Sequence, residues 1–270
     1  MYKFCKTILN TFFLLSTVIY GQKTVEDIEI NKNIKNILIM HKELVSIPNL
    51  PKDKEMMLKN INWVAKQYKD LDFKTSLLES STLPILIAEK IVNPNYKTVL
   101  FYFHIDGQPV NSSAWDQEDP FEPVLKRRDQ NGDWQVLDWS KLDDKIEDEW
   151  RVFGRAVADD KAPIIMLLSA LKMLHNQKKF PKINLKIIFD PEEEYGSKAL
   201  LSTLDKYQDR YASDYFIVMD GPAHNSNLPT LTFGCRGIAS CSITTFGSKL
   251  PQHSGHYGNY LPNPVSVSYT

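Results

Sequence analysis

The fold class can be predicted from one stretch of the sequence, Thr98-Val-Leu-Phe-Tyr-Phe-His-Ile-Asp-Gly107. Residues 98–103 form a continuous apolar run, which is typical of a strand buried on both faces of a sheet. The run ends at His104, so His104 and Asp106 stand at the carboxyl end of the predicted strand. In open α/β sheets this end of the strands lines the ligand crevice, which makes both side chains candidates for function.

Helical and strand patterns alternate around this run. Apolar residues recur at helical spacing over residues 25–47 and 56–68, and residues 162–174 form a strongly apolar helix. Further short strands are predicted at residues 83–88, 184–189 and 214–219. Strands that alternate with helices need crossover connections, so we expect an α/β fold with a mostly parallel sheet.

The sequence predicts three parts: a signal peptide at residues 1–21, the α/β domain at residues 22–232, and the beginning of a smaller α+β domain at residues 233–270. Inside the large domain, residues 111–149 are a polar loop or hairpin with Asn131-Gly132 as its turn. The smaller domain is predicted from an alternating pattern that is typical of an antiparallel strand with one solvated face, at Ile238, Ser240, Ser242 and Thr244.

Composition places the chain in the ordinary globular class. It has 270 residues, of which 43% are hydrophobic and 24% charged. Lysine and arginine total 32 against 33 acidic residues, so no net field would draw nucleic acid or an anionic membrane to the protein. We therefore expect a small solute as the partner.

The N-terminus resembles a secretory signal peptide. Lys3 and Lys6 precede an apolar run from Ile8 to Tyr20, and Gly21 offers a cleavage position. The alternative is an uncleaved membrane anchor, but a bilayer core needs roughly 20 mostly apolar residues, and this run is shorter and interrupted by polar ones. We expect a secreted or periplasmic protein that has no membrane attachment after cleavage.

The cysteines do not predict a disulfide. Cys5 leaves with the signal peptide, and Cys235 and Cys241 lie in one predicted strand. At the usual rise per residue they would be roughly 20 Å apart, which is beyond disulfide reach. We expect both to be free, buried thiols.

Four clusters of histidine or acidic residues follow the predicted strands or precede a helix: His104-Ile105-Asp106, Asp159-Asp160-Lys161, Glu192-Glu193-Glu194 and Asp220-Gly221-Pro222. Acidic groups that converge repel each other unless a cation lies between them. A histidine nitrogen and several carboxylates suit zinc, and the same atoms serve manganese or cobalt. Two divalent ions that share one carboxylate fit the number of ligands.

Each cluster alone has an ordinary structural explanation. His104 alone could be a hydrogen-bonded core histidine, Asp159 a helix N-cap, and residues 192–194 a solvated first turn of a helix. Their repeated position at the ends of predicted strands favours a common metal site.

Four ordered blocks carry a family resemblance: His104-Ile-Asp-Gly107, Gly154-Arg-Ala-Val-Ala-Asp-Asp-Lys161, Asp190-Pro-Glu-Glu-Glu-Tyr-Gly-Ser197 and His253-Ser-Gly255. In order and spacing they resemble the signature of the M20 metallopeptidases of the aminoacylase/carboxypeptidase type, especially the carnosinase-like dipeptidases. The segment at residues 115–121 resembles the stretch that these enzymes carry between the first two blocks. The resemblance covers nearly all of the chain after the predicted signal peptide.

The resemblance implies a zinc-peptidase-type α/β/α catalytic domain, a smaller lid domain and two zinc ions per subunit. His104 and Asp220 would hold one ion, Glu194 would help to hold the second, and Asp159 would bridge both. Asp106 would accept a hydrogen bond from the other nitrogen of the His104 imidazole, which fixes the tautomer and strengthens the ligand.

The resemblance also implies a mechanism. Glu193 matches the general base, which takes a proton from a water between the two ions and passes it to the leaving amine after the water attacks the amide carbonyl. The Asp159–Asp160 peptide bond would be cis. His253 would reach across a homodimer, formed through the lid domain, to polarise the substrate carbonyl in the partner's site. Without the resemblance, His253 would be a surface histidine in a Ser-Gly turn.

The sequence departs from the family pattern in several places. Ala156 and Ala162 stand where the family commonly has glycine, and Pro251 stands where an aspartate often precedes the His-Ser-Gly block. The family's last zinc-ligand histidine and its arginine for the substrate carboxylate lie further downstream than Thr270. We therefore expect a C-terminally truncated chain that binds the second ion poorly and has little or no activity.

The leading functional hypothesis is a secreted di-zinc metallopeptidase that hydrolyses dipeptides or other short peptides. An N-acyl-amino-acid amidohydrolase shares the same metal chemistry and is the alternative within the hydrolases. A catalytically inactive homologue that binds a peptide or a metal is the alternative from another class. Glu193 argues against it, because a binding protein gains nothing from a general base beside the metals.

Overall fold

The computed structural model describes residues 25–221, 224–226, 228, 230–250, 253–258 and 260–261. The predicted signal peptide with Cys5, as well as Pro222 and Pro251, lies outside these residues. The chain divides into two compact units, Met1–Pro222 and Ala223–Thr270. The predicted domain boundary at residue 233 stays a prediction. Among the residues described, no helix combines the length and the apolar character that crossing a bilayer requires.

Three long helices belong to the first unit: α1 (Val25–Val45), α2 (Lys54–Lys69) and α3 (Lys161–Asn176). They confirm the three predicted helices. In α2, the Asp53 carboxylate accepts the main-chain N–H of Met56 at 3.1 Å and so caps the first turn. Apolar side chains recur along its buried face, at Met57, Ile61, Val64, Ala65 and Tyr68.

The strands follow one another in the described chain as β1 (Lys74–Leu78), β2 (Ile85–Lys90), β3 (Thr98–His104), β4 (Val124–Arg128), β5 (Trp134–Leu137), β6 (Arg151–Phe153), β7 (Asn184–Asp190) and β8 (Tyr215–Val218). Short helices α4 (Lys198–Leu201) and α5 (Gln208–Tyr211) precede β8, and α6 (Ser254–Tyr257) lies in the second unit.

The main sheet has five strands in the order β1-β2-β7-β3-β8. β3 is parallel to β7 on one side and to β8 on the other. β1 is antiparallel to β2, and β2 is antiparallel to β7, so only β2 runs against the other strands. The predicted α/β class is confirmed, with a mixed sheet.

The two faces of this sheet pack against different layers. Val99 and Phe103 of β3 join a core cluster with Leu44 of α1 and with residues of α2 and α3. Leu100 and Tyr102, which point to the other face, join a cluster with Ala199 of α4. The sheet therefore lies between two helical layers, and this burial on both faces explains the uninterrupted apolar run of β3.

A separate three-stranded antiparallel sheet, in the order β5-β4-β6, occupies the polar segment between β3 and α3. The predicted turn at Asn131-Gly132 is confirmed as the connection between β4 and β5. Gly132 has φ +89°, a left-handed conformation that glycine adopts without steric cost.

Two predictions for the second unit are wrong. Residues 230–248 contain no strand, and Ile238 is 96% exposed. The alternating pattern shows which side chains can share a face, but a strand needs a neighbouring backbone, and the described part of this unit offers none. Cys235 and Cys241 are free, as predicted, but both are exposed because no strand buries them.

Candidate metal centre

The parallel strands β7, β3 and β8 bring three chain segments to one edge of the main sheet. His104 is the last residue of β3 and pairs with Asp190, the last residue of β7. Asp220 follows the end of β8 on the other side of β3. The carboxyl ends of adjacent parallel strands meet at the crevice edge, so topology explains why these distant residues are neighbours.

A group of three potential metal ligands lies at this edge: His104, Asp159 and Asp220. The Nε2 atom of His104 lies 2.8 Å from Oδ1 of Asp159 and 3.9 Å from Oδ2 of Asp220. Two atoms that each bind one zinc ion at about 2.1 Å are at most about 4.2 Å apart, and both distances lie below this limit. Without an ion, the 2.8 Å contact is a hydrogen bond between the imidazole and the carboxylate. The nitrogen and carboxylate donors also have the chemistry that zinc and similar divalent ions require.

Asp106 contacts the imidazole nitrogen of His104 that faces away from Asp159 and Asp220. Nδ1 of the buried His104 lies 3.4 Å from Oδ1 of Asp106 and 3.2 Å from its carbonyl oxygen. Both are acceptors, which favours the tautomer that carries its proton on Nδ1 and leaves Nε2 free to bind a metal. The fully buried Asp106 carboxylate also accepts the main-chain N–H groups of Glu193 and Glu194 at 3.0 and 3.1 Å. It therefore ties the imidazole to the Glu193 turn.

The Asp159–Asp160 peptide bond is cis, as the family resemblance implies. The carboxylates of Asp159 and Asp160 have different environments. Asp159 is exposed beside His104, whereas Asp160 is buried and accepts the main-chain N–H of His104 at 3.1 Å. Burial, together with the charges of Asp220 and Asp159, raises the pKa of Asp160 to about 8, although His104 acts in the opposite direction.

The charges around His104 favour a cation. Burial alone lowers the pKa of His104, but its hydrogen bond to Asp106 and the charges of Asp160, Asp106 and Asp220 outweigh burial and raise that pKa to about 10. The same concentration of carboxylates that holds a proton on the imidazole would attract a divalent ion. The residues present therefore fit a metal site.

The glutamate cluster forms a short 3-10 turn, Glu193–Tyr195, that follows β7. Burial raises the pKa of the half-buried Glu193, as do the charges of Asp220, Glu194 and Asp106, while His104 lowers it. A carboxylate whose pKa is raised in this way is a better proton acceptor near neutral pH than an ordinary glutamate. Glu194 lies outside the group of three ligands, and its carboxylate accepts a hydrogen bond from Nε2 of Gln108 at 2.5 Å.

His253 belongs to the second unit. It is exposed, its Nδ1 atom accepts the main-chain N–H of Gly255 at 3.0 Å, and its ring packs edge-on against His256 with 5.2 Å between the centroids. The roles predicted for His253 across a dimer and for Glu194 at a second ion stay predictions.

The sequence analysis did not predict that Asp160 and Asn49 hold the backbone of the site through hydrogen bonds. Asp160 directly follows the candidate ligand Asp159 in the sequence, and this adjacency was a signal that could have pointed to it. Asn49 is fully buried and donates from Nδ2 to the carbonyl oxygen of Ile105 at 2.7 Å. It follows Pro48 in a segment whose composition is that of an ordinary turn, and no local pattern distinguishes it.

The fold and the donor set define a protein of the α/β class with a candidate metal centre at the carboxyl edge of its sheet. Residues 100–252 match the sequence profile of the peptidase family M20/M25/M40. The chain therefore belongs to this family.

Curated relatives are similar over part of the chain. A Cys-Gly metallodipeptidase from Schizosaccharomyces pombe is 29% identical over 187 residues, which are 68% of this chain and 34% of the relative. A Beta-Ala-His dipeptidase from Homo sapiens is 28% identical over 185 residues, which are 68% of this chain and 32% of the relative. The chain thus spans about a third of the length of these relatives.

A solved structure shows the same fold. The crystal structure of human carnosine dipeptidase 1 superposes with a TM-score of 0.60 at 21% identity, over 88% of this chain and 49% of that one. At this level of sequence identity, the similarity between the two structures shows a shared fold.

Proposed function

We propose that this chain is part of a metal-dependent dipeptidase that hydrolyses the amide bond of dipeptides or other short peptides. The convergence of His104, Asp159 and Asp220 at the carboxyl edge of the sheet carries the proposal. The family membership and the names of the dipeptidase relatives support it. We propose zinc as the metal, with two ions in the complete protein, because histidine and carboxylate donors are a typical zinc ligand set.

In this proposal the residues of the site have separate tasks. His104, Asp159 and Asp220 would hold one ion, with Asp159 shared with a second ion that Glu194 helps to hold. Asp106 keeps Nδ1 of His104 protonated, so that Nε2 faces the ligand group.

Glu193 is the proposed general base. A bound divalent ion lowers the pKa of water and polarises a carbonyl oxygen. Glu193 would accept the proton of the attacking water on its carboxylate and deliver it to the nitrogen of the leaving amine. Its raised pKa supports this task, because the carboxylate must first accept the proton and then hold it long enough to donate it.

Two further parts of the proposal concern the whole protein. The apolar N-terminal run supports secretion, which N-terminal sequencing of the exported protein would test. The resemblance of His253-Ser-Gly255 supports a homodimer in which His253 reaches the partner's substrate.

The function is tested with the full-length protein and the dipeptides Cys-Gly and β-Ala-His. We expect hydrolysis that a chelator abolishes and Zn²⁺ restores. The Glu193→Gln variant should keep its metal content and lose about 10²–10⁴-fold in kcat, the usual contribution of a general base. His104→Ala is the matched control and should lose bound metal. Metal binding without hydrolysis of either dipeptide would contradict a dipeptidase, and hydrolysis of an N-acyl amino acid alone would favour an amidohydrolase.

A further inference from the structure

Residues 41–49, which comprise the C-terminal end of α1 and the segment after it, make hydrogen bonds to two of the chain segments that carry candidate ligands. We call these residues the brace. One of the two segments is residues 154–161 with Asp159, and the other is residues 104–107 with His104 and Asp106. Each segment makes hydrogen bonds to the brace.

The brace holds the Asp159 segment through two side chains. Lys161 is fully buried, and its Nζ atom donates to the main-chain carbonyl oxygens of Leu44 at 2.8 Å and Ile47 at 2.7 Å. On the other side of Asp159, the carbonyl oxygen of Val157 lies 2.8 Å from Nε2 of His41 and accepts its hydrogen bond. The backbone that carries Asp159 is therefore attached to the brace both before and after that residue.

The brace holds the His104 segment through Asn49. The side-chain Nδ2 atom of Asn49 donates to the carbonyl oxygen of Ile105 at 2.7 Å. The main-chain carbonyl oxygen of Asn49 accepts the main-chain N–H of Gly107 at 3.0 Å. A Cβ atom at Gly107 would lie 3.1 Å from Nδ2 and 3.2 Å from Oδ1 of Asn49. A side chain at Gly107 would therefore press on the Asn49 amide. The two hydrogen bonds attach Ile105 and Gly107, on either side of Asp106, to Asn49.

We propose that Lys161 and Asn49 are positioning residues, which act through the brace to fix the placement of Asp159 relative to His104 and Asp106. The proposal rests on the proposed metal centre. Asp159 is exposed and sits in a turn, so without such attachment its carboxylate could take many positions relative to Nε2 of His104. Lys161 makes no contact with a candidate ligand atom among the hydrogen bonds described, so its effect on the metal would be indirect.

The test uses the full-length protein freed of metal and titrated with Co²⁺, whose visible absorption reports the geometry of its ligands. Lys161→Met keeps the length and packing of the side chain and removes both bonds to the brace. Asn49→Ala removes the bond to Ile105 and keeps the main-chain bond to Gly107. We expect both variants to bind Co²⁺ about 10–100-fold more weakly and to show a changed absorption spectrum at saturation, as for other groups that orient metal ligands.

Lys186→Met is the matched control. Lys186 lies in β7, is 9% exposed, and its Nζ atom donates to two main-chain carbonyl oxygens, those of Asp209 at 3.0 Å and Ala212 at 2.9 Å. The substitution thus removes the same kind and number of bonds from a buried lysine, but these bonds do not join the ligand segments. We expect Co²⁺ affinity and spectrum to match the wild-type protein.

The outcomes separate the two proposals. Wild-type affinity and spectrum in Lys161→Met and Asn49→Ala, or equal losses in Lys186→Met, would overturn the role of the brace while the metal centre stands. No Co²⁺ binding by the wild-type protein would overturn the metal centre and, with it, the brace. Circular dichroism confirms folding, and if Lys161→Met does not fold, Asn49→Ala decides the question.

Discussion

Asp106 is the residue that joins the parts of the candidate centre. One carboxylate oxygen faces Nδ1 of His104 and also accepts the N–H of Glu193, and the other accepts the N–H of Glu194. The carboxylate therefore orients a candidate ligand and holds the turn of the candidate base. Because Asp106 is fully buried, water does not replace these bonds when one of them is lost.

We expect Asp106→Asn to weaken both stability and metal binding. The amide NH₂ group of asparagine is a donor. If it replaces Oδ1, both His104 Nδ1 and the N–H of Glu193 lose this acceptor, and if it replaces Oδ2, the N–H of Glu194 loses it. An unsatisfied buried donor of this kind costs about 2 kcal/mol in the free energy of unfolding. Co²⁺ affinity should fall by about 10-fold or more, because a neutral amide orients His104 less strongly and raises its basicity less than the carboxylate does. Urea unfolding and Co²⁺ titration measure the two effects.

Asp214→Asn is the control for this prediction. The Asp214 carboxylate also accepts a main-chain N–H, that of Thr98 at 2.8 Å, and contacts Lys97, but it lies before β8 at the opposite end of the sheet. The same substitution there should leave Co²⁺ affinity unchanged and lower stability less. If Asp106→Asn binds Co²⁺ as the wild-type protein does, Asp106 has no part in a metal site.

At the scale of elements, the turn before α3 contains a backbone conformation that its sequence does not favour. Ala156 has φ +57°, in the left-handed region, where a Cβ atom meets steric resistance. Ala162, the other position where the family commonly has glycine, lies in the first turn of α3. The two alanines therefore have opposite backbone requirements, although the sequence presents them as equivalent departures.

Glycine substitutions at these two positions should act in opposite directions. Ala156→Gly should raise the free energy of unfolding by about 0.5–1 kcal/mol, because relief of the left-handed strain exceeds the added entropy of the unfolded chain. Ala162→Gly should lower it by about 0.5–1 kcal/mol, because glycine weakens a helix. Urea unfolding of both variants measures the difference, and a loss of stability in Ala156→Gly would show that packing of the Ala156 methyl group dominates.

Strands were predicted correctly from the sequence where burial gives them a clear pattern of apolar residues. β3 and β7 are buried on both faces and appear in the sequence as apolar runs. β1 and β6 were missed because each is short and partly exposed, so its apolar residues do not form a run. The strand predicted around Ile238 is wrong because its alternating residues have no partner strand in the described part of the second unit.

At the scale of the whole molecule, the proposed dimer makes the catalytic site depend on two subunits. In that arrangement Glu193 acts in its own subunit, whereas His253 acts in the partner's site. The two residues also fall in different compact units of the chain.

Mixing two inactive variants should therefore restore activity. Glu193→Gln and His253→Ala should each be inactive alone as full-length, zinc-loaded proteins. Random exchange of subunits gives mixed dimers with one site that has both residues, so we expect up to about a quarter of the wild-type activity. Gel filtration checks the dimer, and a mixture that stays inactive after demonstrated subunit exchange would contradict a shared site.

Taken by itself, the sequence determined the three long helices, the buried strands and the residues with metal-binding chemistry at the ends of strands and before α3. These follow from local patterns, because burial on a sheet or helix repeats with the period of the backbone. Only the tertiary structure decided that Lys161 and Asn49 attach the segments of Asp159 and His104 to the brace and that Asp106 joins His104 to Glu193. Such hydrogen bonds link positions far apart in the chain, and their partners are mostly backbone groups, which every residue carries and no sequence pattern marks.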